Sequence, residues 1–265
     1  MLKKIAIIMI TTYALTLNVG AESGSNLILQ KNNPSEIKDC SEGFNRASFA
    51  FNQGLDKIIV KPVAKFYKSL PSPIKSGTSN ALDNLSNLIT IPNNLLQGEF
   101  KEAGVNTGRF LINSTIGILG LVDAAEHMGF VEYVKEDYGQ SLAIAGVGPG
   151  CYLVLPVLGP STARDAVSSL ATFAGGDAWY NVTVKNDTQY FSDFDYYASK
   201  GTSGVDFRAK NFDSIENLET NSLDFYASVK SLYIQDRENK IENQTRGNIE
   251  VIYKNEEDWE EIDSQ

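Results

Sequence analysis

Apolar residues from position 44 onward recur at three- and four-residue intervals, which is the spacing of one face of an α-helix. The first series occupies positions 44, 47, 51, 55, 58/59, 63, 66/67 and 70. Pro62 interrupts this series, and a proline inside a helix cannot donate the hydrogen bond to the residue four positions back. The pattern therefore predicts a kinked helix, or two successive helices, between Phe44 and Leu70.

A second series predicts a helix that begins at Ser72 and Pro73, residues that suit the N-cap and the first helical position. Pro92 is expected to end this helix, because a proline disrupts the helical hydrogen bonds before it. The residues expected to share one face of the helix are Ile74, Thr78, Ala81/Leu82, Leu85 and Leu88/Ile89.

Three further helices are predicted from shorter patterns. One spans Glu99 to Leu111, and another begins at Pro160-Ser161-Thr162, where Thr162 and Asp165 have capping-box spacing. Near the C-terminus, three- and four-residue steps join Leu223, Tyr226, Val229 and Tyr233. No repeat period is visible, so we interpret the mature chain as one mostly helical domain.

Three stretches of the chain carry no Asp, Glu, Lys or Arg. They are Asn84–Gly98, Phe110–Val122 and Tyr138–Ala163, and the last has 26 residues. A lipid-exposed span must satisfy its backbone hydrogen bonds internally, yet this stretch contains three prolines and five glycines. We expect these segments to be buried in a soluble core or to lie in one leaflet of a membrane.

Residues 1–21 have the three parts of a secretory signal peptide. Lys3 and Lys4 precede the apolar run Ile5–Leu17, and Val19-Gly20-Ala21 provides a cleavage site after Ala21. The run has 13 positions, fewer than the roughly 20 of a spanning helix. The sequence thus predicts an exported protein.

The mature chain divides by composition into three parts. Residues 22–40 are polar and are expected to be a flexible lead-in, residues 41–238 the helical domain, and residues 239–265 an acidic C-terminal tail. Within this tail, Lys254–Gln265 holds six acids and one lysine, which is typical of a solvated terminus.

Composition and charge exclude several classes of function. The 265 residues are 42% hydrophobic and 21% charged, which is typical of a globular chain. A net charge of −10 disfavours a nucleic-acid partner or attraction to anionic lipid, so any affinity for lipid must come from apolar contact. One histidine and two cysteines form no metal-binding pattern. No metal and no cofactor are expected.

The two cysteines, Cys40 and Cys151, can form a disulfide in an exported protein. Two buried thiols are an equally open interpretation. A lipid-acceptor role for Cys40 is disfavoured because Ile37-Lys38-Asp39 precedes it, and the chain has no convincing lipobox.

Few residues suggest catalytic chemistry. Gly146-Val-Gly148-Pro-Gly150 has the look of a phosphate-binding loop, but an apolar extended run follows it instead of a helix N-terminus, so we interpret it as a flexible turn or hinge. His127 has Asp123 and Glu126 nearby and Ser114 upstream, without a G-x-S-x-G elbow. We therefore expect no enzyme.

An ordered series of motifs nevertheless resembles the MlaA (VacJ) family, over roughly Asp39 to Arg237. The clearest motifs are Ser41-Glu-Gly-Phe-Asn-Arg46, Glu136-Asp-Tyr-Gly-Gln-Ser-Leu142 and Gly146-Val-Gly-Pro-Gly-Cys-Tyr-Leu-Val-Leu-Pro156. The positions that match family motifs are Phe44, Asn45, Arg46, Asn52, Asp56, Pro62, Arg109, Asn113, Asp123, Gly139, Pro156, Gly159, Pro160, Arg164 and Asp165.

The resemblance implies a mainly α, single ring-like domain whose amphipathic helices lie in the periplasm-facing leaflet of the outer membrane. It implies removal of misplaced phospholipid from the outer leaflet through an amphipathic channel, delivery to a periplasmic lipid carrier, and docking to a trimeric porin. By the same resemblance, Gly146, Gly148, Gly150 and Tyr152 would form the channel gate. By residues alone, Arg109, Arg164 and Asp165 suit ion pairs between helices or contacts to a lipid headgroup.

Two alternatives remain open at this point. One is a non-catalytic periplasmic binding or scaffold protein that assists an outer-membrane partner. The other is a lipid hydrolase that would depend on Ser114 or His127.

Overall fold

The first helical series forms three consecutive segments without a loop. The computed structural model describes residues 37–172, 177–185 and 191–253, with side chains as far as residue 242. Helix α1 (Glu42–Leu55) leads into a π-helical segment (Asp56–Val60), and helix α2 (Lys61–Lys68) follows directly. Pro62 lies in the first turn of α2, directly after the π-helical segment, and its ring nitrogen donates no hydrogen bond at this junction. The predicted succession of helices is confirmed.

Helix α3 spans Ser72–Gln97, and its predicted ends are both wrong. Pro71 occupies the N-cap, so Ser72 is already helical, and Pro92 lies inside the helix. The Asn93 side chain donates to the Ile89 carbonyl one turn back, at 2.7 Å, which adds a local bond beside the proline. The helix ends instead at Gly98, whose φ of 81° lets it adopt the left-handed C-cap.

The middle of the chain contains short helices and one β-hairpin. Its helices are α4 (Phe100–Thr115), α5 (Ala124–His127), α6 (Tyr138–Ile144) and α7 (Ala163–Ala171). Strand β1 (Tyr152–Leu155) pairs antiparallel with β2 (Gly159–Thr162), with Tyr152 opposite Thr162.

The helix predicted to begin at Pro160 begins at Ala163, because residues 160–162 belong to strand β2. Thr162 is the N-cap and accepts a hydrogen bond from the Asp165 amide. The Asp165 carboxylate accepts hydrogen bonds from Tyr233 and Arg237. Of the two hydrogen bonds of a capping box, only the bond to the Thr162 side chain is therefore formed.

Four helices complete the described chain, namely α8 (Ala178–Thr183), α9 (Asp193–Lys210), α10 (Phe212–Asn221) and α11 (Phe225–Tyr253). The last of them runs past residue 238, where the sequence suggested a boundary. The described residues belong to one unit, 34–265. The fold is mainly α. None of its described helices combines the length and apolar character needed to cross a bilayer.

A small hydrophobic core lies where the hairpin meets α11. Tyr152 and Val154 of β1 pack with Tyr226 and Ile234 of α11, and all four are buried. Tyr152 meets Tyr226 edge-on, with ring centroids 6.1 Å apart.

Elsewhere the distribution of polar and apolar side chains is inverted. In the described part of the chain, 21 polar or charged residues are buried against 11 hydrophobic ones, while 32 large hydrophobic residues are exposed. Helix α3 illustrates this, because every buried residue on it is polar. The buried residues of α3 are Asn84, Asn87, Thr90, Asn93 and Asn94.

Candidate functional site

The glycine-rich loop connects α6 to β1 and is exposed over most of its length. Gly146 and Gly150 have positive φ angles of 87° and 69°, whereas the φ angle of Gly148 is not positive. Arg164 closes the loop from α7, because its amide donates to Pro149 O at 3.2 Å. Tyr152, grouped with these glycines by the sequence, has a side chain fully buried in the core instead.

A disulfide joins the segment before α1 to the start of β1. Cys40 and Cys151 are bonded, with their Cα atoms 5.6 Å apart. The Lys38 carbonyl accepts from the Tyr152 amide at 2.9 Å. The expected flexible lead-in of residues 22–40 is therefore wrong for its last residues, because these bonds build residues 38–40 into the fold.

Two asparagines seven residues apart on α1 hold the free edge of β1. The Asn45 side chain donates to Tyr152 O at 3.0 Å and accepts from the Val154 amide at 2.9 Å. The Asn52 side chain likewise donates to Leu155 O and accepts from the Val157 amide. An edge strand exposes unpaired backbone groups, and these two amides take the place of a third strand.

Asp165 is the centre of a buried charge cluster. Its carboxylate accepts from Arg164, Arg237 and Tyr233, so it joins α7 to α11. Burial alone would raise the pKa of Asp165, but Arg237 and Arg164 more than offset burial and hold this pKa below its usual range.

Arg237 reaches a second carboxylate, that of Asp137, through two hydrogen bonds of 2.6 Å. Gly139 lies between these groups, and a Cβ atom there would collide with the Asp165 carboxylate and the Arg237 guanidinium. The glycine at position 139 is thus required by close approach of charged groups.

The remaining motif residues of α1 and the hairpin are structural or exposed. Asp56 accepts from Arg208 at 3.0 and 3.2 Å, which ties the π-helical segment to α9. Arg46 pairs with Asp224 at 2.6 Å. Phe44 and Pro62 are exposed, and Pro156, Gly159 and Pro160 form or flank the hairpin turn.

Helices α3, α4 and α5 and the segment that follows them enclose a polar cavity of about 200 Å³. Arg109 is 3% exposed and pairs with Asp123, and Asn113 donates to the same carboxylate at 2.9 Å. The residues that line the polar cavity are Asn80, Asp83, Asn84, Asn87, Arg109, Asn113, Asp123, Glu126, Glu132 and Tyr133.

Other parts of the surface are apolar, above all the segment from α1 to α2. On the segment from α1 to α2, the exposed large residues are Phe44, Phe51, Ile58, Ile59, Val63 and Phe66. We call these six residues the apolar stripe. The turn after α4 adds Ile118 and Leu119, which are 63% and 72% exposed and adopt positive φ.

The residues considered for hydrolysis have other partners. His127 Nδ1 lies 2.8 Å from the Asp123 carbonyl of its own helix, and Ser114 Oγ accepts from Asn84 at 2.9 Å. Among the described residues, no group of His, Cys, Asp and Glu is arranged to hold a metal ion.

Comparison with known proteins shows the family of this chain. The model of the MlaA lipoprotein family matches residues 37–240. The chain belongs to the MlaA family. An uncharacterised protein of Rickettsia bellii is 34% identical over 209 residues, which is 78% of each chain. The intermembrane phospholipid transport system lipoprotein MlaA of Haemophilus influenzae is 30% identical over 78% of this chain and 80% of its own length.

A solved structure agrees with this membership. It comes from a study titled "Structural basis for maintenance of bacterial outer membrane lipid asymmetry", and it matches 77% of this chain and 99% of its own with a TM-score of 0.64 and 29% identity. The MlaA resemblance seen in the sequence motifs is therefore confirmed, as is the mainly α fold.

The sequence does not reveal the partners of two largely buried arginines. Arg208 and Arg237 lie far from their partners along the chain, and only the fold brings Arg237 to Asp137 across 100 positions. The asparagines of α3 gave a possible signal, since they recur at positions 84, 87, 93 and 94 within a charge-free stretch. With Thr90 between them, the steps along the series are three or four residues, which marks one polar face of the helix.

Proposed function

We propose that this MlaA-family protein transports phospholipid. It removes misplaced phospholipid from the outer leaflet of the outer membrane through an amphipathic channel and passes it to a periplasmic lipid carrier, which maintains the lipid asymmetry of that membrane. The Haemophilus influenzae relative belongs to an intermembrane phospholipid transport system, and the similar solved structure comes from a study of outer-membrane lipid asymmetry; both support this proposal.

The inverted distribution of side chains is the observation that carries the proposal. Burying one large apolar side chain is worth roughly 1.5–3 kcal/mol, so 32 exposed large hydrophobic residues are costly in water. The same side chains are favourable against lipid tails, and the buried polar residues suit the passage of a headgroup. The protein thus fits one leaflet, and its helices need not span two.

Location and partners follow from the same proposal. The expected signal peptide, residues 1–21, and its cleavage after Ala21 lie outside the described residues. Apolar contact, without an acyl anchor, holds the mature protein at the periplasm-facing leaflet. A trimeric porin and a periplasmic lipid carrier are its partners in this account.

The glycine-rich loop between α6 and β1 is the proposed gate of the channel. Its glycines at positions 146 and 148 have open space where a Cβ would lie, and most of the loop is exposed, which favours movement of the loop. Cys151 and Arg164 fix its far end to the disulfide and to α7.

Lipid copurification separates transport from the scaffold alternative. We expect protein purified in mild detergent, then extracted with organic solvent, to yield phospholipid by mass spectrometry at about one molecule per protein. A mock purification from cells that lack the protein is the control. Protein free of phospholipid would favour a scaffold. Release of fatty acid from added labelled phospholipid, above the level in the mock purification, would favour a hydrolase.

A further inference from the structure

One arginine binds both helices that contact the glycine-rich loop, residues 146–150. Arg237 of α11 donates two hydrogen bonds of 2.6 Å to Asp137, the N-cap of α6, and this helix leads into the loop. The same guanidinium donates to Asp165, in the first turn of α7, at 3.0 and 3.1 Å. Because the guanidinium is planar and rigid, it fixes the separation of the two carboxylates.

From α7, hydrogen bonds continue into the loop itself. The Arg164 side chain donates to Asp165 at 2.9 Å and to Val147 O at 3.4 Å. The Arg164 amide donates to Pro149 O at 3.2 Å. On the other side, the Val147 amide donates to Leu142 O of α6 at 2.9 Å. The glycine-rich loop is thus bonded to both of the helices that α11 joins.

These charged groups are shielded from water and closely packed. The side chains of Arg164, Asp165 and Arg237 are 4%, 8% and 12% exposed. Between them and α6, Gly139 leaves no room for a Cβ atom. Closely packed groups transmit a displacement to their neighbours, so a shift of α11 is passed on to α6 and α7.

Another shielded arginine also joins helices, but it has no bond to the loop. Arg208 of α9 has a side chain 6% exposed, and it donates to Asp56 at 3.0 and 3.2 Å and to Glu216 at 2.7 Å. Within the described part of the chain, its carboxylate partners lie in the π-helical segment and in α10. Arg208 therefore serves as a reference for an arginine that only holds helices together.

We propose that Arg237 is a positioning residue for the gate of the channel. It holds α6 and α7 at a fixed separation and, through Asp165 and Arg164, sets the resting conformation of the glycine-rich loop. A partner that displaces the C-terminal helix α11 therefore displaces the gate with it. This inference rests on the proposed function, because that function takes the glycine-rich loop as the gate.

The test compares R237K with R208K in the full-length protein. Lysine keeps the positive charge but lacks the planar fork that binds two carboxylates, so we expect a similar loss of stability in urea from both variants. Hydrogen–deuterium exchange of peptides that cover residues 144–151 then measures opening of the loop. This exchange should be at least about fivefold faster than wild type in R237K and within about twofold of wild type in R208K.

The variant R164Q tests the last link of the series, and it carries the test if R237K does not fold. Glutamine is shorter and uncharged, so it loses both the ion pair with Asp165 and the bond to Val147 O. We expect loop exchange in R164Q to accelerate as in R237K. Loop exchange that is no faster in R237K than in R208K, or that stays at the wild-type rate in R164Q, would overturn the inference.

Surface phospholipid provides the readout of gating in cells. A strain that lacks the gene receives the wild-type, R237K or R208K gene at equal protein level. We expect R208K to restore the wild-type level of surface phospholipid and R237K to leave it several-fold higher. Equal surface phospholipid in the two variants would overturn the role of Arg237 in gating. A wild-type gene that fails to lower surface phospholipid would contradict the proposed function itself, a result separate from the exchange measurement.

Discussion

At the scale of single residues, close approach of charged groups explains the glycine at position 139. Gly139 lies in α6, where alanine is ordinarily preferred by about 1 kcal/mol. The space beside it is occupied by Asp165 and Arg237. The sequence identified Gly139 as a motif position but could not reveal its reason, since Arg237 lies 98 positions away.

Substitution of Gly139 by alanine tests this explanation. The added methyl group pushes apart the Asp165–Arg237 pair, so we expect the free energy of unfolding to fall by about 1–3 kcal/mol in urea denaturation. The matched control is Gly104→Ala in α4, where no atom lies within 4 Å of the new Cβ. Gly104→Ala should raise stability by about 0.5–1 kcal/mol. Equal effects at both positions would show that packing around Gly139 is not tight.

At the scale of elements, hydrophobic periodicity predicted where helices occur and failed at their ends. The succession α1 to α2 followed from the spacing around Pro62, whereas Pro92 does not end α3. Polar bonds beyond this proline hold the last turns of α3, such as Asn93 to Ser141 at 2.6 Å and Asn94 to Asn106 at 2.9 Å. Such partners come from distant sequence, so a local pattern cannot anticipate them.

The β-hairpin shows a second limit of local pattern. The apolar run after Cys151 indicated an extended segment, and β1 confirms it. Its edge is completed by Asn45 and Asn52 from a helix more than 100 residues earlier. An amphipathic pattern also predicts which face of a helix is apolar, but it does not show whether that face packs against a protein core or against lipid.

The apolar stripe of α1 and α2 provides the prediction at this scale. The variant I58D/F66D should leave the free energy of unfolding within about 0.5 kcal/mol, because both side chains are already exposed. Retention in the membrane fraction after a carbonate wash should fall at least tenfold, since two apolar contacts with lipid are lost.

The control for this experiment is Lys65→Asp, an exposed position in α2 that changes the net charge by the same amount without loss of apolar area. It should remain in the membrane fraction. Release of the control together with I58D/F66D would mean that charge, and not apolar contact, governs retention.

At the scale of the whole molecule, an acidic chain and an apolar exterior are compatible. A net charge of −10 gives no attraction to anionic lipid, so in the proposed function membrane contact depends on the exposed apolar residues. Inside, ion pairs such as Arg208 with Asp56 and Arg237 with Asp165 connect helical segments that lie far apart in the sequence. Membrane attachment and internal cohesion thus rely on opposite kinds of side chain.

The direct test of phospholipid transport is deletion of this gene, followed by measurement of phospholipid in the outer leaflet of intact cells with an added phospholipase or a membrane-impermeant amine reagent. We expect surface phospholipid to rise several-fold and cells to become more sensitive to detergent, and an intact gene copy should reverse both changes. Unchanged surface phospholipid and an intact barrier in the deletion strain would contradict the proposed transport.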